Sequence, residues 1–220
     1  MSMSRRTLRL VQRALPQFRV CGDKLVLPPT KHILRGYKFE RTPYKETFYL
    51  WRLVLPLYRF NSRLVLNYSE RIPRGEYVRL SREAPDQTSV EVTRIILDDL
   101  PKLEPICEPR DFLECVGWMI GNDSPGFLFD LGVTYFLIGR VHGAVSVLGE
   151  IPAEIDKNIS MYERGSEGFE HFSQMRRLAI QLAQDIRSNP AAASQTIRGW
   201  EQKNIVEFEL ADTLTEEAAK

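Results

Sequence analysis

The run from Glu46 to Leu55 (ETFYLWRLVL) constrains the fold of this chain more than any other segment. It is dense in aromatic and branched side chains, which favour the β conformation. Pro56 ends it, because proline cannot donate a hydrogen bond to a strand ladder. Successive side chains of a strand point to opposite faces, and apolar groups occupy both faces here. We therefore expect a central strand that is covered on each side.

Shorter β patterns flank this run up to residue 80. Phe18 to Leu27 alternates weakly around a turn signal at Gly22-Asp23, and Ile33 to Glu40 predicts another strand. Arg63 to Ser69 is expected to return as the antiparallel partner of the central run, and Tyr77 to Leu80 predicts a short strand after it. Together these patterns predict an antiparallel meander of four or five strands.

The N-terminal 22 residues are rich in arginine and contain no acidic residue. Leu8, Val11 and Leu15 fall on one face of a helix. This make-up fits a first helix or a basic arm, and it also fits an organelle transit peptide. Because the pattern continues into the next strand without a spacer, we expect an N-terminal helix.

From residue 81 the apolar spacing becomes helical. Helix caps and prolines divide this part of the chain into separate segments. The predicted segments are a linker over Ser81 to Thr88, helices over Ser89 to Leu100 and Arg110 to Ile120, a helix starting at Ser124-Pro125, a long helix over Gly168 to Ser188, and one more helix or strand within Ala191 to Lys220.

One stretch resembles a single unit of the tetratricopeptide repeat family. The residues that carry the resemblance are Leu128, Leu131, Gly132, Tyr135, Gly139, Ala144, Leu148 and Ile151. It implies two antiparallel helices, with Gly132 and Ala144 where the helices cross closely and Tyr135 in the groove beside them. No second copy follows one period away, although such repeats need about three copies to bury a continuous core. An ordinary helical hairpin is therefore the alternative.

These patterns predict an α+β fold. An N-terminal helix and an antiparallel β-meander are followed by a helical layer that contains one tetratricopeptide-like hairpin. The charge divides in the same way: residues 1–80 hold 17 Lys and Arg against 5 Asp and Glu, and residues 81–220 hold 13 against 24. We predict a basic, mainly β segment over 1–80 and an acidic, mainly helical segment over 81–220, either separate or integrated into one domain.

The basic, tyrosine-rich segment carries the functional prediction. Arginine and tyrosine anchor protein interfaces, and they also grip phosphates and stack on bases. A third interpretation is that the basic segment only neutralises the acidic one. We predict a small binding or adaptor protein, immunity-like or regulatory, that contacts another protein; the alternative is a nucleic-acid-binding protein that uses the sheet over residues 31–79. The candidate contact residues are Arg35, Lys38, Arg41, Tyr44, Arg52, Tyr58, Arg59, Arg63, Arg71 and Arg74.

The sequence offers little for catalysis, and we expect no enzyme, cofactor or metal. Asp98 and Asp99 are adjacent carboxylates, but neighbouring helical residues point in different directions and share a proton poorly. Glu163, Glu167, Glu170 and His171 resemble part of a metal site, yet acidic residues in a first helical turn are also favoured by the helix dipole. Glycines between 121 and 126 lack the Gly-Lys-Ser/Thr ending of a phosphate loop.

The expected location is the cytoplasm. The three cysteines form no C-x-x-C pair, and no secretory signal is present, which is typical of reduced thiols. No apolar run reaches the roughly 18 residues that a membrane span requires. We therefore expect no membrane partner.

Overall fold

The computed structural model describes residues 5–28, 30–44, 46–60, 66, 68–72, 77–79, 85–119 and 121–214. In these ranges one helix precedes an antiparallel sheet, and several helices follow it, so the predicted α+β class is confirmed. The elements are α1 (Arg5–Ala14), β1 (Arg19–Cys21), β2 (Lys24–Val26), β3 (Ile33–Arg41), β4 (Thr47–Pro56), β5 (Glu70–Ile72), β6 (Val78–Arg79), α2 (Pro85–Leu103), α3 (Pro109–Cys115), α4 (Pro125–Leu137), α5 (Val141–Asn158), α6 (Glu167–Ser188) and α7 (Pro190–Glu207).

One predicted boundary needs correction, and one predicted strand lies largely outside the described residues. The expected linker over Ser81 to Thr88 is wrong in its second half, because α2 already begins at Pro85. Proline is favourable at the start of a helix, where its missing N–H has no partner to lose. The expected partner strand over Arg63 to Ser69 lies largely outside the described residues, and the described partner of β4 is β5, which begins just after it.

The sheet has the order β1-β2-β3-β4-β5, with every neighbouring pair antiparallel. β3 and β4 form its longest ladder, in register from Ile33 opposite Pro56 to Arg41 opposite Phe48. β6 also pairs with β4, through Phe48 and Val78. β4 therefore has strand neighbours on both edges, as expected for the strand that the sequence predicts to be central.

One face of the sheet is covered by α2. Tyr37 of β3 and Arg52 of β4 stand opposite each other, and both reach Asp99 of α2. α1 packs against α2, and its predicted apolar residues Leu8 and Val11 are buried.

The other face is covered in part by residues after the middle of α7. Ile205, Phe208 and Leu210 pack with strand residues Leu53 and Leu55 in one apolar cluster. Hydrogen bonds hold this segment, since the Asn204 side chain donates to the Leu57 carbonyl at 2.6 Å, and the Thr213 hydroxyl donates to Thr30 at 2.9 Å. β4 is thus covered on both faces near Leu55, whereas Tyr49 and Trp51 farther along remain half-exposed.

The chain forms two compact units. The first consists of Met1–Leu57, Ser62–Phe112 and Lys203–Lys220, and the second of Tyr58–Asn61 and Leu113–Gln202. The first unit holds the sheet, α1 and α2. No helix among the described residues is both long and apolar enough to cross a membrane.

In the second unit, α4 and α5 form a closely packed hairpin. A Cβ atom added to Gly132 would lie 2.7 Å from Leu148 Cγ, and one added to Gly143 would lie 3.2 Å from the Tyr135 ring. Ala144 is fully buried. Small residues therefore stand at the helix crossing, as the sequence indicates, while membership of the tetratricopeptide family stays a prediction.

The segment Tyr58–Asn61 belongs to the second compact unit. The Tyr58 and Thr134 hydroxyls are 2.7 Å apart, and Arg59 pairs with Asp130 at 3.3 Å. The Phe60 ring packs 5.0 Å from Phe129. These contacts account for the burial of Tyr58 and Arg59, both of which the sequence places among the candidate contact residues.

Candidate functional site

Three of the predicted contact residues are buried. Arg35 is 5% exposed, and its guanidinium donates to the Glu104 carbonyl and approaches the Cys107 sulfur at 2.9 Å. Tyr58 and Arg59 are enclosed in the helical unit. A buried guanidinium needs partners, since an unpaired buried charge is very costly. In the described structure these three side chains therefore serve the interior and do not line a surface.

Some cations of the basic segment pair with carboxylates of the acidic segment. Arg52 pairs with Asp99 at 2.8 Å and also with Glu70 of β5. Lys31 reaches Glu108 at 3.2 Å. The third interpretation from the sequence, internal neutralisation, thus applies to these positions.

The remaining predicted residues differ in exposure. Arg41 and Tyr44 are exposed, while Lys38 and Arg71 are half-buried. Arg63 and Arg74 lie outside the described residues.

An exposed aromatic contact lies at the end of the β3–β4 hairpin. Tyr44 is 64% exposed and Tyr77 is 43% exposed, yet their ring centroids are only 5.7 Å apart. We call these two residues the tyrosine pair. The loop is held locally, because the Tyr44 N–H donates to the Thr42 hydroxyl at 3.1 Å. The exposed Arg41 ends the adjoining strand, so aromatic surface and positive charge occur together.

A second group on the same sheet consists of Tyr49, Trp51 and Arg71, which we call the arginine–aromatic cluster. The Arg71 guanidinium carbon lies 4.0 Å from the Tyr49 ring centroid and 4.7 Å from that of Trp51. The Trp51 indole N–H donates to a Glu40 carboxylate oxygen at 2.7 Å. Strand register explains this geometry, since Arg71 stands opposite Trp51 and Glu40 stands opposite Tyr49.

The same register aligns cations across the sheet. Lys24 stands opposite Lys38, Lys38 opposite Trp51, and Trp51 opposite Arg71. This row crosses β2 to β5 on one face, because directly opposed residues of antiparallel strands share a face. Lys24 is mostly buried and pairs with Asp23 at 3.3 Å.

Sequence reasoning missed Trp51 and Tyr77 as candidate contact residues. Trp51 belongs to an apolar run, and the sequence therefore predicts a buried position for it. Its half-exposure follows from the limited extent of the covering segment, which periodicity does not reveal. Tyr77 lies at the start of a predicted strand, but its contact with Tyr44 depends on how β6 pairs with β4.

The described residues include no group of three or more His, Cys, Asp and Glu side chains arranged to hold a metal ion. In the predicted partial site, the His171 ring stacks on Phe60 with centroids 5.4 Å apart and an interplanar angle of 21°.

Comparison of the chain with protein-family models, curated sequences and solved structures finds no match. The geometry of the chain itself is therefore the basis for assigning a function.

Proposed function

We propose that this chain is a binding protein that contacts another protein through the tyrosine pair at the end of the β3–β4 hairpin. The main support is that Tyr44 and Tyr77 pack on each other while both remain substantially exposed. Tyrosine supplies a large contact area and loses little conformational freedom when it is buried, so it is enriched among residues that dominate binding energy.

Positive charge next to the pair supports a partner whose surface is acidic. Arg41 and Arg79 are exposed, and Arg79 stands opposite Thr47 at the hairpin end. Exposed charges at the rim of an interface mainly raise the association rate and make it sensitive to salt. We expect association to slow as ionic strength rises.

The arginine–aromatic cluster favours a protein over a nucleic acid as partner. Arg71 lies over one face of the Tyr49 ring and over one face of the Trp51 ring. A base therefore cannot stack on either of these two faces. Glu40, bound to the Trp51 indole, adds a negative charge that a phosphate backbone would meet.

Site-specific photo-crosslinking tests the proposal. A photoreactive phenylalanine at position 44 should trap a protein partner in cells that produce the chain, and the same group at Met161 should not. Met161 is a matched control because it is 73% exposed and lies in the other compact unit. Affinity for the trapped partner, measured with purified proteins, should fall about 30-fold on Tyr44→Ala, a typical loss for an anchoring aromatic. Equal trapping at both positions, or unchanged affinity, would contradict the proposal.

The second candidate is a nucleic-acid-binding protein. The half-buried residues Lys38, Trp51 and Arg71 of this row favour it, since cations beside an aromatic ring resemble a track for a single strand. Fluorescent single- and double-stranded oligonucleotides, titrated at two salt concentrations, test this candidate. Binding that weakens steeply with salt and with Lys38→Gln would support it, and absence of binding at low salt would exclude it.

A further inference from the structure

A cavity of about 470 Å³ lies at the β1 edge of the sheet, wholly within the first compact unit. Arg9 of α1, Arg19 of β1, and Glu209 and Asp212 after α7 contribute charged groups to its lining. Cys21 is the buried member of that lining. The volume falls within the range of small-molecule sites, about 300–1,000 Å³.

The charges that line this cavity are balanced. Two guanidiniums and two carboxylates line it, all four on exposed side chains, and no ion pair within the described part of the chain includes any of them. Arg19 donates only to backbone carbonyls, at 3.0 Å to Pro16 and 3.3 Å to Phe18. Because the four charges sum to zero, a simple anion meets two carboxylates and a simple cation meets two guanidiniums. A ligand with one charge of each sign is the better electrostatic match.

Glu209 occupies a position where the backbone of a glycine would be less strained. Its φ is 58°, in the left-handed region, and it follows α7 as the residue that closes the helix end. The closing pattern has the Leu210 N–H bound to the Ile205 carbonyl and the Glu209 N–H bound to Val206. Glycine dominates this position because other residues are strained there by about 1 kcal/mol. The chain nevertheless has a glutamate at this position, and the Glu209 carboxylate extends toward the turn at Gly22.

We propose that this cavity binds a small zwitterion that carries a free carboxylate and a free ammonium group, of which an α-amino acid is the smallest example. Arg9 and Arg19 receive the carboxylate, and Glu209 and Asp212 receive the ammonium group. Charge-assisted hydrogen bonds of this type are short and comparatively strong. The site is separate from the tyrosine pair, so its test is independent of the proposed protein contact.

Binding is tested by titration calorimetry of the purified full chain. The probes are glycine, leucine, lysine, glutamate and the dipeptide glycyl-leucine, each at up to millimolar concentration. N-acetyl-leucine and leucine amide serve as controls, since each keeps one charge and lacks the other. We expect at least one free zwitterion to bind and its blocked forms to bind at least about tenfold more weakly, because each has lost charge-assisted contacts.

The cysteines provide a second readout. N-ethylmaleimide labelling, followed by peptide mass spectrometry, reports Cys21 separately from Cys107 and Cys115. A bound zwitterion should slow the labelling of Cys21 and leave the other two rates unchanged, because Cys21 alone belongs to the cavity lining.

A variant that relieves strain separates binding from folding. Glu209→Gly removes the carboxylate and suits the left-handed backbone, so it should unfold at the same or a higher denaturant concentration while binding weakens at least about tenfold. Glu207→Gln, an exposed acidic position outside the lining, is the matched control and should bind as the original chain does. The proposal is overturned if no probe binds or protects Cys21, if blocked and free forms bind equally, or if Glu209→Gly binds normally.

Discussion

Adjacent carboxylates in α2 occupy opposite environments. Asp99 has a side chain only 6% exposed and accepts from Arg52, while Asp98 is 71% exposed and pairs weakly with Arg94 at 3.8 Å. This agrees with the prediction that the two carboxylates point in different directions. The sequence did not indicate which of them faces the sheet, because that depends on the rotation of α2 against it.

Removing the charge of Asp99 should destabilise the protein strongly. Asp99→Asn leaves the mostly buried Arg52 with one carboxylate fewer, and breaking a buried ion pair costs about 3 kcal/mol. Asp98→Asn should change the free energy of unfolding by less than about 0.5 kcal/mol, as is usual at exposed sites. Urea unfolding of both variants measures the difference, and similar values for the two would contradict the assignment.

Stability should fall above pH 10 because of two buried tyrosines. Burial, with the Asp99 carboxylate adding to it, raises the pKa of Tyr37. Burial also raises the pKa of Tyr58 well above its usual value, and the hydrogen bond with Thr134 opposes that shift. The folded state keeps these protons while the unfolded state releases them above its pKa of about 10. Each tyrosine then removes about 1.4 kcal/mol of stability per pH unit.

Urea unfolding between pH 9 and pH 11 measures this loss, with Tyr37→Phe for comparison. Phenylalanine has no proton to release, so the variant should lose less stability over the same interval. Parallel curves for the two proteins would show that Tyr37 does not contribute.

The strands β2 and β3 approach each other closely at a glycine. A Cβ atom at Gly36 would lie 2.0 Å from the Leu25 carbonyl oxygen, which belongs to the backbone and has little freedom to move. We expect Gly36→Ala to cost about 3 kcal/mol or more, since overpacking here displaces a strand.

A helical glycine gives the matched control. Gly149 lies on the exposed side of α5 with no atom within 4 Å of an added Cβ. Gly149→Ala should stabilise the protein by about 1 kcal/mol through helix propensity. Thermal unfolding of the two variants should therefore shift in opposite directions, and a shift in the same direction would contradict this packing.

The sequence predicted where helices and strands form better than it predicted which of them pack together. β3 and β4 begin and end within one residue of their predicted bounds, because both are long runs that end at turn residues. α2 extends from Pro85 to Leu103, at least three residues beyond the predicted bounds of Ser89 and Leu100 at each end, because apolar spacing marks the buried face of a helix and not its ends.

Residues far apart in the chain complete the sheet unit. Phe208 is 6% exposed and packs over strand residues of that unit, whereas Val206 is 77% exposed. Phe208→Ala should lower the free energy of unfolding by about 4 kcal/mol, and Val206→Ala by less than about 0.5 kcal/mol. Denaturant unfolding followed by circular dichroism measures both, and equal effects would show that the 203–214 segment does not cover the sheet.

Local sequence patterns do not predict contacts between segments that are far apart in the chain. The sequence indicated one more helix or strand after Ala191, but nothing in that stretch indicated that it covers Leu53 and Leu55. The same holds for the candidate site. Composition was enough to predict Tyr44 and Arg41 as candidate contact residues, but the contact of Tyr44 with Tyr77 depends on strand pairing, which composition does not reveal.

The discontinuous make-up of the sheet unit has a consequence for biosynthesis. The ribosome releases β4 long before residues 203–214, because residues 58–202 are translated in between. During that interval the nascent chain carries uncovered apolar strand surface, the kind of surface that chaperones bind and that aggregates when synthesis outpaces folding. Production of this protein should therefore depend on chaperone supply and on the speed of translation more than its modest length suggests.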